Sequence, residues 1–291
     1  MSQRTPRRYR TAGGTARRQP RVRRASAGLT PIRSAAILTM LLAGGAIYGL
    51  AATSAFGFRE LAISGNALVP ETAIRAAVSL APGTNLVGLD TGPIAGRLAE
   101  LAAVDGVDVS VGLPDTLEVR LRERRPIIVW AIGERRLAVD QEGLLFADVG
   151  GDAAAPLMGE IPVVRDDRAA SAGLAIRARL DPVDLDAATR LGSLTPRQIG
   201  SRAARLAVRV GDDRGFTVGS GSGGWLAVFG FYGRSQRTPE LIPGQVQLLA
   251  ALLAGREDAV QTVILADDRD GTWIPKPTPR PTPTSKPLKA P

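Results

Sequence analysis

The sequence predicts an α+β chain with a single N-terminal transmembrane helix, a compact β-α-α-β-β module, and a β-rich domain behind it. Three observations carry that prediction. Residues Ser34–Phe56 contain no Asp, Glu, Lys or Arg. Between Phe58 and Arg125 the apolar residues change from strand-like alternation to helical spacing and back. Beyond Arg125, short apolar runs recur between Gly, Pro and Asp, the punctuation of strands and turns.

The uncharged stretch is 23 residues long. At ~1.5 Å of helical rise per residue it reaches roughly 34 Å, enough to cross a hydrocarbon core of about 30 Å. A signal-peptide apolar region is shorter, and a buried core helix rarely runs this far without a charge. Residues 1–33 carry ten arginines and no acidic residue, which leaves 27 basic residues beyond Phe56 against all 28 acidic ones. The formal net charge of +9 therefore belongs to the N-terminal arm. By the positive-inside rule the arm stays cytoplasmic and the C-terminal part is exported, a single-pass type II arrangement in the plasma membrane. Tyr9 is the only aromatic residue before the span, so nothing in the arm suggests base stacking, and no nucleic acid is expected.

Composition narrows the chemistry. The chain has no Cys and no His, and its three lysines are Lys276, Lys286 and Lys289. Thiolate metal sites, imidazole bases and a Ser–Lys dyad in the folded body are thereby removed. Carboxylate pairs remain as the one hydrolytic option, with Asp166-Asp167, Asp212-Asp213 and Asp267-Asp268 as the local candidates. Neighbouring residues of a strand point to opposite faces, so such doublets do not make a facing pair, and they read as turns. No catalytic residue, metal, cofactor or small-molecule substrate is expected.

Phe58–Ile63 reads as a short strand ending in the Ser64-Gly65-Asn66 turn. A helix is expected over Pro70–Leu80, with Glu71 in its first turn and Ile74 and Val78 facing the core. Pro82-Gly83-Thr84-Asn85 stops it. Asp90 or Thr91 can cap a second helix that runs past Pro93 to about Ala103, with Ile94, Leu98, Leu101 and Ala102 on one face. Val107, Val109 and Val111 alternate with polar residues, and after a turn at Pro114 so do Leu117, Val119 and Leu121. These two strands predict half-buried sheet with a charged outer face.

At this point the sequence resembles a family. The order β-α-α-β-β is that of the POTRA module, and the local residues resemble the POTRA domain of the bacterial FtsQ/DivIB cell division proteins. The resemblance rests on Gly65-Asn66, Gly83-x-Asn85-Leu86, Leu89-Asp90, Val107-x-Val109, Pro114-x-x-Leu117-x-Val119 and Glu123-Arg124-x-Pro126. Trp130, Leu137-Ala-Val-Asp140 and Gly143-Leu-Leu-Phe146 resemble the start of that family's second, β-rich domain. Hairpin turns are expected at Gly133–Arg135 and Asp140–Gly143, and irregular chain at Pro156-Leu157 and Ile161-Pro162.

Between Arg165 and Arg205 only a helix at about Asp184–Leu194 is legible. Strands are expected at Leu206–Val210, Phe216–Gly219, Trp225–Phe231 and Val260–Leu265, with a helix at Gln245–Leu253. The glycines of Gly219–Gly224 lack phosphate-loop spacing and read as a hairpin loop. The run Leu265-Ala266-Asp267-Asp268-Arg269 departs from the family's Asp-Leu-Arg-like motif. Beyond Ile274 alternating prolines predict an extended tail.

The expected domains are a basic cytoplasmic arm (1–33), a transmembrane helix (34–56), a POTRA domain (57–125), an FtsQ-type β domain (126–274) and a Pro-rich tail (275–291). The resemblance implies a non-enzymatic divisome scaffold at the septum. It implies the bitopic division proteins FtsB and FtsL as partners, and through them the septal peptidoglycan synthases. It also implies partner binding at Val263, Ile264 and Leu265, with Trp273 and Ile274 just beyond, residues that ordinary sheet core explains as well. Two alternatives remain open on the residues alone: another anchored, exported binding or sensor protein with a POTRA-like module, and an anchored cell-wall hydrolase.

Overall fold

The computed structural model describes residues 31–51, 54–151, 159 and 161–277. Most of the basic arm, almost all of the Pro-rich tail and the Pro156-Leu157 connection lie outside the described residues. The chain divides into two units, Met1–Thr53 and Ser54–Pro291.

In the first unit, α1 (Pro31–Ala51) is a 21-residue helix. Residues 31–49 are apolar enough to cross a membrane and are wholly unburied. The helix begins three residues before the uncharged stretch, because Pro31 suits a first helical turn and Arg33 is a good helix former. The expected span to Phe56 is corrected at its other end: Ser54–Phe56 is a separate 3-10 turn belonging to the second unit.

The second unit opens with β1 (Glu60–Ser64), α2 (Glu71–Val78), α3 (Gly92–Ala99), β2 (Val104–Gly112) and β3 (Thr116–Glu123). The sheet order is β1-β3-β2, with β1 parallel to β3 and β2 antiparallel to it. A parallel neighbour requires a crossover, and α2 and α3 supply it. Ile74, Val78, Ile94 and Leu98 are buried in one cluster with Leu117, Val119 and Leu121. Both helices are shorter than the sequence suggests. Ser79 turns into the left-handed region (φ 46°) and ends α2, while Arg97 of α3 donates to the α2 carbonyls of Ala77 and Val78. Asp90 rather than Thr91 supplies the carboxylate that accepts the Gly92 N–H (2.9 Å). The charged outer face is self-paired, Arg120 to Glu118 and Arg122 to Asp105.

Nine strands make the other sheet: β4 (Ile128–Ile132), β5 (Arg135–Val139), β6 (Leu145–Asp148), β7 (Val163–Asp166), β8 (Ala207–Gly211), β9 (Gly215–Gly219), β10 (Leu226–Gly230), β11 (Val260–Leu265) and β12 (Gly271–Pro275). Their order is β12-β11-β10-β9-β8-β7-β4-β5-β6. The pairs β4/β7, β7/β8 and β10/β11 are parallel and the rest antiparallel. Helices α4 (Pro182–Gly192) and α5 (Ile242–Leu253) contribute Ala187, Ala188, Leu191, Leu249 and Leu253 to the core that also holds Trp130, Phe216 and Phe229. The opposite face of β4–β6 contributes Val129, Ala138 and Phe146 to the cluster of the three-stranded sheet, so the two sheets share buried surface.

Two strands stand where none was expected. The sequence marks no element at Val163–Asp166, just past the irregular Ile161-Pro162, and places Trp273 and Ile274 beyond the last strand; these residues belong to β7 and β12.

Candidate functional site

Most residues of the POTRA-like motif hold the fold together. Gly65 sits at φ +80°, and a Cβ built there would lie 2.1 Å from the Leu121 carbonyl oxygen. Only glycine allows β1 to turn that close to β3. Asn85 accepts the Val87 N–H (2.9 Å), and Gly83 (φ +81°) reverses the chain beside it. Asn66 donates to the Val69 carbonyl (3.4 Å), Pro114 makes the tight turn between β2 and β3, and Leu117 is fully buried. The Glu123 carboxylate receives the N–H groups of Leu68 and Val69 at 2.7–3.0 Å, tying the chain that enters α2 to the end of β3. Arg124 spans the two sheets: Nε donates to the Ala102 carbonyl (3.2 Å) and Nη1 to Asp140 (2.8 Å). Asp140 is itself buried and accepts the N–H groups of Glu142 and Leu144. Pro126 lies in the short link between β3 and β4.

The second group of residues lies at one end of the nine-stranded sheet. β12 pairs with β11 on one side and has no strand on its other side among the described residues. Its outer backbone N–H and C=O groups form a pairing edge. Register places Val263 opposite Trp273, Ile264 opposite Thr272, and Thr262 opposite Ile274. Strand alternation then sorts the five expected partner-binding residues. Val263 (0% exposed) and Leu265 (2%) are spent in the core, and their side chains are not open to a partner. Ile264 (40%) and Ile274 (45%) are exposed on the opposite face. Trp273 packs half-buried against the core, with the Arg256 guanidinium 5.8 Å from its ring centroid.

The turn into this edge is built by charge. Asp267 accepts the N–H groups of Arg269 (2.7 Å) and Asp270 (2.6 Å), which hold its carboxyl below the usual range. Arg237 donates to the carbonyls of Phe229, Leu265 and Ala266, gathering the ends of β10 and β11. Sequence reasoning missed Arg237, because a loop arginine bonding to carbonyls 28 and 29 residues away has no local signature. At the far end of β11, Glu257 accepts from Ser201, the Trp225 indole N–H (2.9 Å) and Arg202.

Burial pushes the Glu257 carboxyl up, but these donors outweigh it and hold it at about 2 instead of 4.5. A depressed carboxyl contributes stability that is full above the unfolded value and fades as pH falls through the folded one. Glu257→Gln is therefore expected to lower stability by about 1–3 kcal/mol near neutrality. The gap to the parent should narrow as pH drops from about 4.5 towards 2, read as thermal midpoints of both chains across that range.

None of the aspartate doublets forms a facing pair. Asp212-Asp213 and Asp267-Asp268 occupy turns, and Asp166 is buried while Asp167 is exposed. Among the described residues no group of His, Cys, Asp and Glu could hold a metal ion.

A helix long and apolar enough to cross a membrane, a β-α-α-β-β module and a large β-rich sheet define a POTRA-type class of chain. Residues 56–124 match the family description "POTRA domain, FtsQ-type". The chain is 36% identical over 114 residues to the cell division protein FtsQ of Streptomyces bingchenggensis, covering 39% of this chain and 43% of that one. It is 29% identical over 214 residues to FtsQ of Streptomyces coelicolor, covering 70% and 79%. FtsQ of Agrobacterium fabrum is 32% identical over 125 residues, covering 42% and 38%. The matched segment thus spans less than half of two of these relatives and about four fifths of the other. The chain thus carries an FtsQ-type POTRA domain, and its similarity to FtsQ cell division proteins extends beyond that domain.

Proposed function

We propose that this chain is a non-enzymatic divisome scaffold that captures a bitopic partner of the FtsB/FtsL type by strand addition at β12. The observation that carries the reading is the edge itself: backbone groups with no strand partner among the described residues, flanked by exposed Ile264 and Ile274. A partner strand completes the backbone ladder, and the two isoleucines reward an apolar side chain on its outward face. Recognition of this kind needs no catalytic residue. In this reading the arm faces the cytoplasm, and residues 57–125 and 126–274 form a POTRA and a β domain outside the membrane. Partner capture at the septum then links the chain to septal peptidoglycan synthesis.

Ile274→Glu places a charge where an apolar partner side chain would lie, while Ile274 contributes little to the chain's own core. Recovery of the FtsB-type partner with the full-length variant is expected to fall at least tenfold, about 1.4 kcal/mol. Its thermal midpoint should stay within about 2 °C of the parent, as for a surface substitution. Undiminished recovery would contradict strand addition at this edge.

A further inference from the structure

We propose that an arginine-lined cleft on the nine-stranded sheet, several strands from β12, binds a linear phosphate-bearing polyanion. The cleft has a volume of about 740 Å³, and Arg136, Arg165, Arg205 and Arg209 all line it. Three of them form one row. Arg136 is paired with Ala131, Ala131 with Arg165, and Arg165 with Arg209, so all three share the face opposite α4 and α5. Neighbouring strands lie about 4.8 Å apart, which sets Arg165 and Arg209 roughly 5 Å from each other and Arg136 roughly 10 Å further along.

Among the described residues the charge there is in excess. One carboxylate, Asp167, serves both Arg165 (2.9 Å) and Arg209 (3.7 Å). Glu134 adds a more distant attraction on Arg165. Among the described residues no carboxylate forms an ion pair with Arg136 or Arg205. The chain beyond Phe56 is nearly neutral as a whole, so four arginines in one cleft are a local concentration.

The geometry selects the ligand. A guanidinium presents a planar fork of donors that matches phosphate oxygens bidentately. A tetrahedral phosphate has oxygens enough for a bidentate fork from each of two guanidiniums on neighbouring strands, whereas a planar carboxylate such as Asp167 reaches both only through one oxygen each. The row runs across the strands in the interior of the sheet, where strand addition has no free edge, so a peptide adding as a strand does not fit it. Val129, Ile161 and Val163 line the same recess, which a flat bilayer surface does not enter.

The test uses the full-length chain in an uncharged detergent, with the arginines at 4, 7, 8, 10, 17, 18, 21, 23 and 24 changed to Gln so that the arm does not bind the probe. Short-chain inorganic polyphosphate is titrated at two salt concentrations. Arg165→Gln with Arg209→Gln is expected to weaken binding at least tenfold and to flatten the salt dependence by about one unit per lost contact. Asp167→Asn is expected to strengthen binding, because it frees both guanidiniums. Should the first double variant lose its thermal transition, Arg136→Gln with Arg205→Gln provides the same test from residues without a described acidic partner. Unchanged affinity in these variants, or poly-glutamate or anionic vesicles bound as tightly as polyphosphate, would overturn the proposal.

Discussion

Gly65→Ala is expected to destabilise the three-stranded sheet by about 3 kcal/mol or more. Two costs add at this residue. A φ of +80° disfavours any L side chain by roughly 1–2 kcal/mol. The added Cβ would also stand 2.1 Å from the Leu121 carbonyl oxygen, a backbone atom that cannot swing aside. Either β1 withdraws from β3 or the turn reshapes, and overpacking of this kind typically costs a further 1–3 kcal/mol. Gly83 separates the two terms. It has nearly the same φ, +81°, but nothing within 4 Å of its Cβ position. Gly83→Ala should therefore cost only about 1 kcal/mol. Chemical denaturation of the two variants beside the parent measures the difference, and equal losses would show that the close approach of Gly65 to β3 does not matter.

The second large effect belongs to Asp166. Its carboxylate is buried beneath the nine-stranded sheet and accepts the Trp130 indole N–H (3.0 Å), the Arg168 N–H (3.0 Å) and two guanidinium N–H groups of Arg168 (2.9 and 3.0 Å). Burial alone would raise its pKa, but the hydrogen bonds and charge of Arg168 win and hold it below the usual aspartate range. Arg168 also reaches Asp184 on α4 (2.7 Å), so the pair fastens a helix to β7. Asp166→Ala leaves a buried indole N–H without its acceptor and a mostly buried guanidinium with one carboxylate instead of two. A loss of about 3–5 kcal/mol is expected. Replacing both partners with apolar residues, Asp166→Leu with Arg168→Met, should recover part of it, because the stranded guanidinium has gone while Trp130 and Asp184 still lack their partners. A double-mutant cycle by denaturant unfolding reads the coupling. Additive losses would contradict a coupled pair.

Asp166 also explains why β7 was illegible in the sequence. In Val163-Val164-Arg165-Asp166 the core positions are Val164 and Asp166, and the exposed ones are Val163 and Arg165. An acid faces inward and a valine outward, so alternation of hydrophobicity is blurred although alternation of direction is intact. β12 was hidden differently. Gly271 and Pro275 bracket it, and both are tolerated because it is an edge strand with free N–H positions. By contrast α2 was readable, because Ile74 and Val78 lie one turn apart and both are buried. The strands β2, β3 and β11 were readable for the same kind of reason.

The candidate edge was legible only in part. Sequence pattern placed Val263, Ile264 and Leu265 on one strand but could not say which face the core would take. Register against β10 and β12 assigns Val263 and Leu265 to the core and leaves Ile264 and Ile274 exposed. Arg237 and the Arg124–Asp140 bridge act between segments distant in sequence, and only the folded chain brings those together.

The central claim is a scaffold acting at the division site. The measurement that tests it most directly follows a fluorescent protein fused to the N-terminus of the full chain in dividing cells, with the native copy depleted. The account predicts a band at the division plane, normal division while the fusion is supplied, and filamentous cells when it is withdrawn. A uniform membrane halo, with division continuing after withdrawal, would contradict it.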